Sequence, residues 1–111
     1  MMRKTLILMT ALFAVLAATA MAATKTVKVG DNWFVKSSGV PTVTVKKGDT
    51  VKWSWVGDSS HDVSVTKGPV KFRSPIKSSG TYKKVMKKRG TYTIICTIHG
   101  KSDQSMKLVV K

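Results

Sequence analysis

The chain has 111 residues, with 20 Lys or Arg against five Asp and no Glu, for a formal net charge of +15. That length suits one small domain and no more, and a single cysteine rules out an internal disulfide framework, so one hydrophobic core has to hold the fold. So positive a field favours acidic partners or anionic membrane surfaces, while the lack of interleaved aromatic and basic residues argues against nucleic acid.

In chain order, the first element is a leader. Arg3 and Lys4 precede an apolar run, Leu6 to Ala20, and Ala20-Met21-Ala22 supplies small residues at −3 and −1 of an export cleavage site. Residues 1–22 are expected to be a signal peptide and 23–111 the exported domain, which carries +13 once Arg3 and Lys4 are gone. The run is too short for a membrane span, which needs about 20 apolar residues. The expected location is a periplasm, the cell surface or the medium.

Beyond the leader come short alternating runs divided by turn residues. Thr24–Val29 places Val27 and Val29 on one face and stops at Gly30-Asp31-Asn32; Trp33-Phe34-Val35 follows. Pro41 opens Thr42–Lys46, and Lys47-Gly48-Asp49 turns the chain into Thr50–Val56, with Val51, Trp53 and Trp55 facing one way. A polar loop, Gly57 to Ser60, leads to His61 and a strand over Asp62–Thr66. A long loop covers 67–80, with room for a short strand at 70–73. Thr81–Lys88 is extended, with Tyr82 and Met86 inward. Tyr92, Ile94 and Cys96 share a face of the next strand, and Met106, Leu108 and Val110 share one of the last. Seven to eight short strands rich in Val and Thr, with no amphipathic helix, predict an all-β fold, an antiparallel sandwich or barrel with Greek-key connections. The Lys83-Lys84 and Lys87-Lys88-Arg89 clusters read as solvated strand faces and a turn.

The chemistry gathers at the strand ends. Cys96 is the only thiol, His61 and His99 are the only imidazoles, and all three lie at strand–loop junctions. An unpaired cysteine in an exported protein is either buried and inert or used chemically. One thiolate with two imidazoles is a trigonal blue-copper ligand set when a weak fourth ligand is close by. A structural zinc site wants four strong donors, and only three exist. A Cys96 nucleophile with His99 or His61 as base and Asp62 as orienter lacks a helix N-terminus to lower the thiol pKa, and no enzyme is expected.

Gly90-Thr91-Tyr92-Thr93-Ile94-Ile95-Cys96-Thr97-Ile98-His99, preceded by His61 and by Val45-Lys46-Lys47-Gly48-Asp49-Thr50-Val51-Lys52-Trp53, resembles the plastocyanin/azurin family of cupredoxins, above all the small bacterial plastocyanin-like domains. The Tyr-x-x-x-Cys-x-x-His element carries the likeness. It implies an eight-stranded sandwich binding one copper ion that cycles between Cu(I) and Cu(II), with His61, Cys96 and His99 as ligands. Three positions depart from the family. No Met lies in Gly100 to Gln104, so aligning the last strand puts Gln104 at the axial position, as in the stellacyanin branch, with Met106 or no axial ligand as alternatives. Asp62 stands where Asn is common, and Gly100 where Pro is frequent, which implies a looser loop. The resemblance implies an electron carrier; the basic charge adds the expectation of a redox partner with an acidic docking surface, and the domain is expected to be a monomer. A copper-delivery protein without redox turnover and a metal-free interaction module, with Trp33, Trp53 and Trp55 as core, are the alternatives.

Overall fold

The computed structural model describes residues 21–111; the expected leader lies outside the described residues except for Met21 and Ala22. Eight strands form: β1 (Thr24–Gly30), β2 (Trp33–Phe34), β3 (Thr42–Val45), β4 (Thr50–Trp55), β5 (Ser64–Lys67), β6 (Thr81–Val85), β7 (Gly90–Ile95) and β8 (Ser105–Val110). They make two four-stranded sheets, ordered β2-β1-β4-β6 and β3-β8-β7-β5. The expected sandwich is present, but it is not wholly antiparallel. β1 runs parallel to β4, and β3 runs parallel to β8. The reason is that successive strands switch sheets: β3 leaves the first sheet for the second and β4 returns, so β1 and β4 become neighbours pointing the same way.

Alternation decides what is inside. Val51 and Trp53 of β4, Tyr92 and Ile94 of β7, and Met106 and Leu108 of β8 are all fully buried between the sheets. Trp53 lies against the rings of Phe72 and Tyr82, 5.9 and 6.0 Å between centroids. Trp33 is only half-buried and does not join the core; its indole lies over Gly30, where any Cβ would collide with it. The strand expected from residue 62 begins at Ser64, because His61 is held instead by an isolated bridge to Lys77. The 70–73 stretch contributes one bridge, Arg73 to Ser64, rather than a strand.

The strand directions give the sandwich two unlike ends. At one end lie the β1–β2 turn, the β4–β5 loop and the β7–β8 loop. At the other lie the β3–β4 and β6–β7 turns, the start of β1 and the end of β8. On the outer face of the first sheet Lys52 stands directly opposite Lys83, a like-charge cross-strand pair that costs up to about 1 kcal/mol.

Asp49, at the second end, is buried; its carboxylate accepts the backbone N–H groups of Ala23 (3.0 Å) and Lys46 (2.9 Å). Those bonds favour the charged form and lower its pKa below the ordinary carboxylate value. A depressed carboxylate pKa contributes stability that is present above the unfolded value of about 3.9 and lost as pH falls through the folded one. Urea titrations from neutral to strongly acid pH should therefore show Asp49→Asn losing less stability below about pH 4 than the parent does. Parallel curves would show the carboxylate to be inert.

Candidate metal centre

Three loops converge at the first end. The core strand β7 delivers Cys96 one residue past Ile95, on the same inward face as Tyr92 and Ile94, so its thiol is fully buried. His61, also fully buried, comes from the β4–β5 loop. His99, half-buried, follows Cys96 by one loop turn beside Ile98, which is half exposed. His61 Nδ1 and His99 Nδ1 are 3.2 Å apart, and Cys96 Sγ lies 3.9 Å from the first and 3.5 Å from the second. A point in the plane of these atoms lies about 2.1 Å from each, close to metal–imidazole bonds of about 2.0–2.1 Å and metal–thiolate bonds of about 2.3 Å. The three expected residues are brought together, and among the described residues they form the cluster able to hold a metal ion.

The surroundings set the imidazole. Asp31 Oδ1 lies 2.8 Å from His61 Nε2. A carboxylate can only accept, so Nε2 carries the proton and, in the neutral ring, Nδ1 keeps its lone pair turned toward the thiol. Asp31 is held in turn by the backbone N–H groups of Asp58 and Ser59, both at 3.0 Å. The His61 bond first and these two after it keep the Asp31 carboxyl well below the usual carboxylate range. Trp55 Nε1 donates to the His61 carbonyl at 3.2 Å and fixes the backbone behind the ring. Neither Asp31 nor Trp55 was legible as a site residue. Asp31 reads as part of a Gly-Asp-Asn turn and Trp55 as core, and only the fold sets them against residue 61.

Asp62 does the work expected of an amide at its place. Its Oδ1 accepts Thr97 N–H at 2.7 Å; its Oδ2 accepts Thr97 Oγ1–H at 2.7 Å and Arg73 Nε–H at 3.2 Å. The loop carrying His61 is thereby tied to the one carrying Cys96, and the added charge is matched by Arg73. Asp62→Ala would strip three bonds from a fully buried group and should cost about 3 kcal/mol, read as a fall in the urea midpoint of the metal-free protein. An unchanged midpoint would mean that the two loops hold together without it.

The last loop is pinned around Gly100. Gly100 N–H donates to the Cys96 carbonyl at 2.8 Å, and Gln104 N–H to the Gly100 carbonyl at 3.0 Å. Gly100 has φ +81° and uses its N–H, so proline could not occupy this place. These bonds tighten a loop expected to be loose. Gln104 is fully buried, and its backbone carbonyl accepts Cys96 N–H at 3.1 Å. Its side-chain Nε2 donates to the carbonyls of Gly30 and Trp33, both at 2.9 Å. Since both partners only accept, the amide orientation is settled, and Oε1 is left buried with no hydrogen-bond partner among the described residues. Met106 pairs across the ladder with Ile94, one inward position deeper in the core, about 7 Å along the strand.

No family model and no curated protein matches the chain. Solved structures do. A proline-to-glycine variant of amicyanin in its oxidised form is 27% identical, covers 79% of this chain and 82% of its own, and superposes with a TM-score of 0.65. A methionine-to-glutamine amicyanin variant in the Cu(I) form is 26% identical over 86% of this chain and 89% of its own, with a TM-score of 0.66. A copper-containing nitrite reductase from Thermus scotoductus shares the fold at 24% identity and TM-score 0.63, over 79% of this chain but 22% of its own. Fold likeness and a single thiol gathered with two imidazoles at the loop end together support one placement, among the plastocyanin-like cupredoxins.

Proposed function

We propose that the protein is an exported blue-copper electron carrier, in which His61 Nδ1, His99 Nδ1 and Cys96 Sγ would hold the copper and Gln104 Oε1 would supply a weak fourth contact. The observation that carries this is the mutual spacing of the three donor atoms, 3.2, 3.5 and 3.9 Å, around one point. The donor set fits copper by its chemistry, one soft thiolate and two imidazoles, and the unpartnered Gln104 oxygen fits a weak fourth contact. Copper bound there supplies a one-electron Cu(I)/Cu(II) couple. Oxidised and Cu(I) amicyanin variants superpose comparably on this chain, in keeping with a scaffold that suits both states.

The chain's own residues do the rest. Asp31 holds the His61 tautomer, Asp62 locks the two loops together, and the buried Cys96 strand keeps water from the thiol. His99 is the half-exposed member, flanked by Ile98, and offers the electron's exit to a redox partner. Export is part of the proposal. A cut after Ala22 would set the new α-ammonium of Ala23 3.0 Å from Asp49 Oδ1, a pairing that a cut one residue later forfeits.

The deciding experiment is copper titration followed by optical spectroscopy and voltammetry. An intense visible thiolate-to-copper band with a reversible one-electron wave supports the carrier. A tight but colourless Cu(I) complex without a reversible wave would mean a copper-delivery protein, and no binding a metal-free module. Asp31→Ala should weaken copper binding by about 10–100-fold, as losses of an orienting carboxylate do. Titration in competition with a chelator measures it, and an unchanged affinity would remove Asp31 from the site.

A further inference from the structure

The charge is not spread evenly over this molecule. Asp31, Asp58, Asp62 and Asp103 all lie in the loops at the metal end, where Arg73, Lys77 and Lys101 offset most of their charge. The opposite end carries Lys46, Lys47, Lys87, Lys88, Arg89 and Lys111, all exposed. None of these six is paired with a carboxylate among the described residues. The acid at that end, Asp49, is buried and already committed to backbone N–H groups. Backbone bonds clamp the cationic segments together: Lys47 N–H to the Lys111 carbonyl at 2.8 Å, and Gly48 N–H to the Met86 carbonyl at 2.7 Å. Lys47, Lys87, Lys88 and Arg89 line a shallow hollow of about 260 Å³ between two turns. The Lys52–Lys83 opposition on the adjoining sheet face adds to the same field, and an anionic surface would relieve it.

We propose that this basic end is a docking surface for an anionic lipid bilayer, holding the protein with its metal end pointing away from the membrane. Charge complementarity selects an anion, and the residue types select a lipid surface. Five of the six cations are lysines, point charges on flexible stems that adapt to mobile headgroups, whereas protein interfaces are depleted in Lys and built on aromatic anchors, of which the hollow has none. The cations stand on two turns and the end of a strand at one extremity of the sandwich, so a plane can meet them together. On the export reading the chain also enters the fold here, at Ala23 and β1, just after the apolar Leu6–Ala20 run of the expected leader. About 17 Å of strand separates it from the metal end, from Thr50 to Trp55 of β4, so docking here leaves the half-exposed His99 uncovered. Surface attachment and electron exchange then use opposite ends and do not compete. The proposal stands on the charge distribution and does not depend on the copper reading.

Co-sedimentation of the protein as isolated, with and without copper, tests it on vesicles of pure phosphatidylcholine and on vesicles in which one third of the lipid is phosphatidylglycerol. Binding should require the anionic lipid, be the same in both metal states, and fall steeply with salt as the Debye length shrinks to about 8 Å at physiological ionic strength. The triple variant Lys87→Gln, Lys88→Gln, Arg89→Gln should bind about 100-fold more weakly, about fivefold per charge lost. Lys101→Gln, at the metal end, should change binding by less than about twofold. Circular dichroism of the triple variant checks that it is folded; should it not be, Lys46→Gln with Lys47→Gln takes its place with an expected loss of about 25-fold. Equal binding to neutral vesicles, variants that bind like the parent, or a Lys101→Gln loss as large as theirs would overturn the proposal. So would tight binding to polyglutamate with none to anionic vesicles, which would make the surface one for acidic proteins.

Discussion

Cys96→Ser should abolish the visible thiolate-to-copper band and cut copper affinity by more than the about 10–100-fold that loss of an orienting group costs, because it removes a donor atom itself. Oxygen replaces sulfur at one corner of the triangle, 3.5 and 3.9 Å from the two imidazoles, and the soft, covalent contact that gives the colour is gone. The fold should survive. Residue 96 lies at the mouth of the core, its backbone N–H stays bonded to the Gln104 carbonyl, and the inward residues of β7 are unchanged. Burying a hydroxyl in place of the thiol should cost about 1 kcal/mol, a fall of roughly 4–8 °C in the melting temperature of the metal-free protein. Optical titration and calorimetry separate the two effects. A variant that keeps its colour would refute the ligand assignment, and one that fails to fold would make Cys96 a packing residue first.

Gln104→Met should raise the reduction potential by at least about 59 mV, a tenfold shift in the relative affinity for Cu(I) over Cu(II). An amide oxygen is a harder donor than a thioether and favours Cu(II), so the parent should sit low for its family. The same change removes the two bonds from Nε2 to the carbonyls of Gly30 and Trp33, leaving buried acceptors unpaired at a cost of about 2 kcal/mol. Met106→Leu is the control. Met106 faces Ile94 with Leu108 beyond it, so this change conserves volume in the core and should cost less than about 1.5 kcal/mol, with the potential unmoved. Voltammetry on both variants decides between the two residues. A large shift from Met106→Leu with none from Gln104→Met would reverse the axial assignment.

The strand pattern and three of the site residues could be read from the chain itself, for physical reasons. A strand buried on one face must alternate, so Val51-x-Trp53-x-Trp55 and Met106-x-Leu108-x-Val110 announce both their conformation and their inward side. A chain with one thiol and two imidazoles has only one way to assemble that ligand set, which is why His61 could be joined to Cys96 and His99 across the sequence. Where alternation was weak, in 67–80, the reading weakened too: what holds that stretch is single bridges, Arg73 to Ser64 and Lys77 to His61, which leave no periodic trace.

Tertiary structure alone decided the rest. The parallel pairings of β1 with β4 and β3 with β8 follow from which sheet each strand joins, and alternation is silent on that. Asp31 reaches His61, and Gln104 reaches Gly30 and Trp33, because separate loops meet at one end of the sandwich. Nothing local distinguishes these residues from ordinary turn and loop residues. The lysines counted equally toward one net charge; only the strand directions gathered six cations at one end and four carboxylates at the other. Composition sets the sum of the charges, whereas their separation depends on coordinates that only the folded chain supplies.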